Sequence, residues 1–221
     1  MALLVKICGI NSAGAADAAV RAGADFAGLV FHEKSPRNVS FEAARSLAER
    51  MRGRLKLVAL VADADDECIA AVIEAVRPDL LQLHGRETPA RAAAVRARFG
   101  VPLMKAFGVA QRADLASVPC YQQSCDMFLF DAKTPAQSPE AVMLGGHGVP
   151  FDWQLIRGRS FARPWLLAGG LNPENVTRAI ASAGAPGVDV SSGVETAPGV
   201  KSAELIAAFV SAARNTMEAR A

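Results

Sequence analysis

The chain has 221 residues, of which 51% are hydrophobic and only 6% are aromatic, a composition typical of a globular α/β protein with a full core. Its formal net charge is only +2 and its basic residues are dispersed, which argues against a nucleic-acid-binding surface. No apolar run approaches the roughly 20 residues that cross a bilayer, so we expect no membrane partner.

Eight short apolar runs predict eight strands, at residues 3–8, 26–31, 55–61, 79–83, 102–106, 126–131, 164–168 and 186–190. Alanine-rich stretches predict helices at residues 12–22, 40–52, 65–76, 88–98, 111–117, 151–159, 173–183 and 201–217. Strands that alternate with helices imply right-handed crossovers and a parallel sheet. The nearly continuous apolar runs fit strands that are covered on both faces.

Eight strand–helix units in a chain of this length predict a single (β/α)8 TIM barrel that forms one domain over residues 1–221. A doubly wound open sheet is the alternative. That fold usually has fewer strands and a Gly-x-Gly-x-x-Gly turn after the first one, a motif absent from Gly9-Ile10-Asn11-Ser12. Residues 132–150 predict a long loop on the catalytic face, where such loops usually cover a ligand.

The cysteine pattern favours reduced thiols in the cytoplasm. The four cysteines are too few for a secreted disulfide scaffold and form no Cys-x-x-Cys pair. Residues 3–8 are typical of a strand rather than of a signal peptide. We therefore expect a cytoplasmic protein.

Glycine-rich turns after the seventh and eighth strands predict a phosphate site. Backbone N–H groups in such turns bind phosphate oxygens, and these two loops are the usual phosphate position in a barrel. The alternative is that the glycines only close tight turns. The predicted phosphate-binding residues are Gly169, Gly170, Ser191, Ser192 and Gly193, with Gly146 in the loop after strand six.

Two strand ends carry candidate proton-transfer groups, Cys8 and Asp131. A cysteine acts as a base only as the thiolate, and Lys6 lies on the same face of its strand, so we expect Lys6 to favour that form. Asp131 follows three large apolar residues, which suits a carboxyl that serves as a general acid. The alternatives are an inert buried cysteine and a carboxyl that caps the next turn.

An ordered set of motifs, spread over nearly the whole chain, resembles phosphoribosylanthranilate isomerases of tryptophan biosynthesis. The motifs are Lys6-Ile7-Cys8-Gly9, Gly23-Ala24-Asp25, Ser35-Pro36-Arg37, Gln82-Leu83-His84-Gly85, Phe151-Asp152-Trp153, residues 167–176, residues 188–195 and Pro198-Gly199-Val200-Lys201. Each motif alone is weak, but the ordered set is specific.

The resemblance implies a reaction and roles for several residues. The substrate would be N-(5-phosphoribosyl)anthranilate, and an Amadori rearrangement without cofactor or metal would give the 1-deoxyribulose 5-phosphate isomer. Cys8 would be the general base and Asp131 the general acid. Arg37 would pair with the anthranilate carboxylate, or be only a surface arginine. His84 would contact the ligand or be a core histidine, and Asp189 would bind a ribose hydroxyl or order its turn.

The chain departs from the family pattern in three places. Gly145-Gly146-His147-Gly148 lacks the usual threonine, the segment after strand five lacks a frequent arginine, and Asn11 replaces a common threonine. The alternative functions are a sister barrel that isomerises or epimerises another sugar phosphate, and a non-catalytic binder of a phosphorylated ligand. Cys8 argues against the histidine-pathway sister enzymes, which use aspartate as the base. We expect a small-molecule substrate as the partner, and a monomer or homodimer.

Overall fold

The computed structural model describes residues 3–133 and 151–218. Eight parallel strands form a closed barrel in the order of the sequence, and the first strand pairs with the eighth. The strands are β1 (Leu4–Cys8), β2 (Phe26–Phe31), β3 (Lys56–Val61), β4 (Leu80–Leu83), β5 (Leu103–Val109), β6 (Met127–Ala132), β7 (Trp165–Leu167) and β8 (Gly187–Val190). The predicted TIM barrel is confirmed.

Helices follow most strands and cover the outside of the barrel. They are α1 (Ala13–Ala22), α2 (Phe41–Met51), α3 (Asp66–Val76), α4 (Pro89–Phe99), α5 (Val176–Ala183) and α6 (Ala203–Glu218). Side-chain oxygens cap several helix starts: Ser40 accepts a hydrogen bond from the N–H of Ala43, and Thr88 accepts one from Arg91. None of the helices in the described ranges is long and apolar enough to cross a membrane.

Two of the predicted helices were wrong in type or length. Residues 111–117 were expected to be helical, and the structure has a 3-10 helix at Arg112–Tyr121, in which Pro119 has no N–H to complete an α-helical pattern. Residues 151–159 contain only one 3-10 turn, Trp153–Leu155, and Gly158 adopts a left-handed φ of 72° soon after it.

The last unit contains a hairpin that the sequence pattern did not predict. After β8 come a 3-10 turn, Ser192–Val194, and two short antiparallel strands, β9 (Glu195–Ala197) and β10 (Val200–Lys201). Gly199 has a φ of 80° and forms the turn between them. The expected helix at 201–217 therefore begins two residues later, at Ala203.

The buried residues form an outer layer between strands and helices and an inner layer within the barrel. The inner layer comprises Phe26, Val58, Leu80, Met104, Ala106, Met127, Leu129, Leu166 and Ala168, with a second small cluster of Cys8, Val30 and Leu60. Three polar residues are buried with these apolar side chains, namely Lys6, Gln82 and Asp189. Since buried polar groups need partners, their contacts decide what the barrel can do.

Candidate active site

A small pocket opens at the carboxyl ends of the barrel strands. Six residues predicted from the sequence line it: Cys8, Arg37, His84, Asp131, Asp189 and Ser191. Val30, His32, Ser35 and Leu60 complete the lining. The barrel thus brings together residues from the beginning, middle and end of the chain, as predicted from their positions at strand ends.

The glycine turns lie beside this pocket. Gly169 and Gly170 both have positive φ, and a Cβ on Gly169 would lie 3.1 Å from Oδ1 of Asp131. A Cβ on Gly193 would collide with the carbonyl oxygen of Leu171, so the turn after β8 packs directly on the segment after β7. The two predicted phosphate-binding turns, one of which includes Ser192, therefore form one continuous surface. The predicted Gly146 lies outside the described residues.

Cys8 lies next to the buried ion pair between Lys6 and Asp189. Lys6 Nζ is 2.9 Å from Asp189 Oδ1, and the Lys6 side chain has no exposed surface. Burial disfavours the ammonium form, but the charges of Asp189 and Cys8 outweigh it and raise the pKa of Lys6. Lys6 therefore remains a cation inside the barrel.

The Cys8 thiol itself is disfavoured as an anion. Burial raises the pKa of the Cys8 thiol, and the positive charges of Lys6 and Lys201 counter only part of that effect. As expected, the positive charge of Lys6 lowers the pKa of Cys8 and so favours the thiolate. The sequence-based expectation did not allow for burial of the thiol, which has a larger effect in the opposite direction.

Asp131 has a polar neighbour at each carboxyl oxygen. Its Oδ1 accepts a hydrogen bond of 2.8 Å from the N–H of Ala132, and its Oδ2 lies 3.5 Å from Nε2 of His84. His84 is in turn fixed by Gln82, whose Nε2 is 2.8 Å from His84 Nδ1. Asp131 is half-buried and its side chain is 14% exposed, so its remaining open side faces the pocket.

Arg37 is part of a buried ion cluster and not a surface residue. Its Nε and Nη2 donate hydrogen bonds of 2.8 Å to the two carboxylate oxygens of Glu195. Lys201 Nζ lies 2.7 Å from the same carboxylate, and both partners of that contact are almost fully buried. Burial alone would raise the pKa of Glu195, but Arg37 and Lys201 hold it below its usual value.

This ion cluster also connects to the β1 and β8 ends of the site. Lys201 Nζ donates to the carbonyl and hydroxyl oxygens of Ser191, and the Ser191 hydroxyl donates to the carbonyl oxygen of Cys8 at 3.1 Å. Burial lowers the pKa of Lys201, against the raising effect of Glu195. Two cations and one carboxylate give the cluster a net positive charge beside the pocket.

Sequence reasoning missed four residues of the site: Gln82, Glu195, Lys201 and His32. Glu195 precedes the Pro198-Gly199 turn and Lys201 follows it. Opposite charges that flank a tight turn could have indicated a hairpin in which the two side chains pair. Gln82 could have been identified as a candidate site residue, because it is a polar residue inside an apolar strand. Nothing in the sequence around His32 indicated that it lines the pocket. Across the described ranges, no group of three histidine, cysteine or acidic side chains is arranged to hold a metal ion.

Comparison with known proteins identifies the family. The family model for "N-(5'phosphoribosyl)anthranilate (PRA) isomerase" matches residues 5–212. An N-(5'-phosphoribosyl)anthranilate isomerase of Rhodopseudomonas palustris (strain BisA53) is 52% identical over 216 residues, which cover 98% of each chain.

Solved structures agree with this match. The crystal structure of phosphoribosyl anthranilate isomerase from Thermotoga maritima has a TM-score of 0.85 and 36% identity, covering 96% of this chain and 99% of that one. A second structure of such an enzyme, in complex with reduced 1-(o-carboxyphenylamino)-1-deoxyribulose 5-phosphate, has a TM-score of 0.81 and 34% identity with the same coverage. The chain therefore belongs to the N-(5'-phosphoribosyl)anthranilate isomerase family.

Proposed function

We propose that this chain converts N-(5'-phosphoribosyl)anthranilate into 1-(2-carboxyphenylamino)-1-deoxyribulose 5-phosphate, with Asp131 as general acid and Cys8 as general base. The observation that carries this proposal is that a thiol and a carboxyl, both at strand ends, line one pocket beside two glycine-rich turns. The family membership supplies the substrate. Because the substrate and the product are isomers, the reaction consumes no external oxidant or reductant, and proton transfers drive the opening of the sugar ring and the shift to the ketone.

Ring opening comes first in the proposed mechanism. Asp131 gives a proton to the furanose ring oxygen, the bond from that oxygen to C1 breaks, and the anthranilate nitrogen lone pair forms an iminium. The carboxyl accepts a hydrogen bond from the N–H of Ala132 and has His84 Nε2 3.5 Å from its other oxygen, which favours one orientation toward the pocket. General acid catalysis of this kind typically contributes about 10²–10⁴ in rate.

Proton abstraction at C2 follows. The iminium makes the neighbouring C–H acidic, and its positive charge favours the Cys8 thiolate, which burial otherwise disfavours. Cys8 takes the C2 proton and an enolamine forms, which tautomerises to the ketone product. Lys6 and Lys201 support the thiolate through their positive charges.

Two anion sites hold the ends of the substrate. We assign the phosphate to the surface formed by Gly169, Gly170 and residues 191–193, whose backbone N–H groups suit phosphate oxygens. We assign the anthranilate carboxylate to Arg37. Glu195 occupies Nε and Nη2 of Arg37, which leaves Nη1 for a ligand, and the net positive charge of the ion cluster favours an anion there.

The remaining assignments concern the sugar and the cell compartment. Asp189 lines the pocket while bound to Lys6, and we assign its second carboxylate oxygen to a ribose hydroxyl. His84 lines the pocket beside Asp131, and we assign it a contact with the ligand. The four cysteines are all free, which supports a reducing cytoplasmic setting.

Anthranilate fluorescence tests the proposal. Substrate made in situ from anthranilate and an activated phosphoribose should lose its fluorescence in proportion to the protein added. The variants Cys8→Ala and Asp131→Asn should each lower kcat by about a hundredfold or more while substrate binding is largely kept. Absence of turnover by the unaltered protein, or full activity in either variant, would refute the proposed function or the proposed roles respectively.

A further inference from the structure

Gln82 is a buried residue whose side-chain amide forms a hydrogen bond with the ring of His84. It lies on β4 with no exposed surface, and its strand neighbours in register are Leu60 on β3 and Met104 on β5. Its Nε2 is 2.8 Å from His84 Nδ1, whereas its Oε1 has no hydrogen-bond partner among the residues that the structure describes. An apolar side chain of similar size would avoid the cost of that buried oxygen. The contact with His84 is therefore what distinguishes Gln82 from such an apolar side chain, and its role follows from that contact.

The contact determines where the His84 ring carries its proton. An amide N–H can only donate, so Nδ1 of His84 accepts and the neutral ring is protonated at Nε2. That nitrogen faces Oδ2 of Asp131 at 3.5 Å. The opposite orientation of the amide would protonate Nδ1 and leave Nε2 as an acceptor. That acceptor would bind the Asp131 proton that the substrate needs, and it would face a second acceptor once Asp131 is ionised. The observed arrangement is the consistent one.

A chain of polar contacts thus runs from the barrel interior to the proposed general acid. Oδ1 of Asp131 is already bound to the N–H of Ala132, and His84 Nε2, 3.5 Å from Oδ2, is the group placed to hold the second oxygen. Catalytic hydrogen bonds that are long in a free enzyme often tighten when the substrate binds. A His84 ring without a fixed tautomer would leave the carboxyl plane free to turn.

We propose that Gln82 is a positioning residue, which holds His84 in its Nε2-protonated tautomer and through it orients the Asp131 carboxyl for proton donation. This inference rests on the proposed function, because it assigns Gln82 to the acid step of that reaction. It adds a residue that touches neither the substrate nor the reacting atoms.

The tautomer is tested directly by ¹⁵N NMR of the histidine rings. The chain has three histidines, and the His84→Asn variant identifies the His84 signals by their loss. At a pH where the ring is neutral, we expect Nδ1 to resonate as an unprotonated nitrogen and Nε2 as a protonated one. In Gln82→Leu both signals should move toward the average of the two tautomers. A protonated Nδ1 in the unaltered protein would overturn the proposal.

Kinetics test the consequence for catalysis. Gln82→Leu should lower kcat about tenfold or more with little change in KM, because substrate contacts are kept while the acid is poorly oriented. Gln82→Glu keeps the shape of the side chain but offers Nδ1 an acceptor, so it should reverse the tautomer and lower kcat similarly. Met104→Leu is the control at the same barrel level and should keep its kcat. Full kcat in both Gln82 variants would refute the proposal.

A double-mutant cycle separates positioning from a general structural role. If Gln82 acts through His84, then Gln82→Leu should cost almost nothing further in a His84→Asn background. Losses that multiply would overturn the proposal. Failure of the proposed function would appear instead as no isomerase activity in the unaltered protein, whereas the NMR result judges the Gln82–His84 contact independently of any activity.

Discussion

Glu195 holds the guanidinium of Arg37 through two hydrogen bonds of 2.8 Å, from a position 158 residues further along the chain. The pair is buried, and Lys201 binds the same carboxylate. Arg37 is thereby fixed while it lines the pocket, so the loop after β2 and the hairpin after β8 form one side of the site together.

The first prediction concerns this pair. Glu195→Gln should raise KM about tenfold or more, since a charge-assisted contact contributes roughly 1.5–3 kcal/mol, and should change kcat less. The reason is that Arg37 loses the carboxylate that orients it toward the anthranilate. Glu74→Gln, an exposed position on α3, is the matched control and should leave both constants unchanged. A larger effect on kcat than on KM would contradict the assignment of Arg37 to binding.

The second prediction concerns the ion pair inside the barrel. Lys6→Met should destabilise the protein by about 3–5 kcal/mol, because it leaves the buried Asp189 carboxylate without its partner. Urea unfolding gives the free energy of unfolding. Lys6→Met combined with Asp189→Asn should recover much of the loss, since no uncompensated charge remains. A loss below about 1 kcal/mol in the single variant would show that Asp189 finds another partner.

The third prediction concerns the pH dependence of Cys8. Its pKa is raised in the free protein, so kcat/KM should increase as the pH rises and the thiolate forms. Lys6→Met removes a cation that lowers the pKa of Cys8, so the rising limb should move to higher pH. Iodoacetamide labelling of Cys8 should slow at pH 8 in that variant. Cys120 is exposed and serves as the internal control, with an unchanged labelling rate measured by mass spectrometry.

The fourth prediction concerns the close approach of β2 to β1. A Cβ on Gly28 would lie 3.0 Å from Sγ of Cys8 and 3.2 Å from Nζ of Lys6. Gly28→Ala should therefore displace the thiol, lower kcat and cost about 1–3 kcal/mol of stability through overpacking. Gly14→Ala is the matched control, because a Cβ there meets nothing within 4 Å and lies within α1. That variant should gain up to about 1 kcal/mol from helix propensity.

The strands of the barrel were predictable because each is a short apolar run buried on both sides, and the observed ends of most lie within one or two residues of the predicted ones. The extension of β5 to Val109 was not predicted, and Gly108 interrupts the apolar pattern within it. The 3-10 helices were missed because an alanine-rich or polar stretch does not reveal which hydrogen-bond pattern it adopts.

The site could be predicted at the level of strand ends but not at the level of partners. Cys8, Asp131 and Asp189 line the pocket because residues at the carboxyl ends of parallel strands meet there. Which side chain pairs with which depends on distances across the barrel that sequence spacing does not contain. The pairing of Lys6 with Asp189 and of Arg37 with Glu195 therefore emerged only from the structure, as did the desolvation of Cys8.

The ion pair between Lys6 and Asp189 joins the first strand to the last, across a separation of 183 residues. During synthesis the ammonium group of Lys6 is available early, whereas its counterion emerges only with the final strand. Until that strand docks beside β1, Lys6 has no counterion to offset the cost of its burial. Completion of the cylinder and assembly of the thiol's surroundings are thus one event.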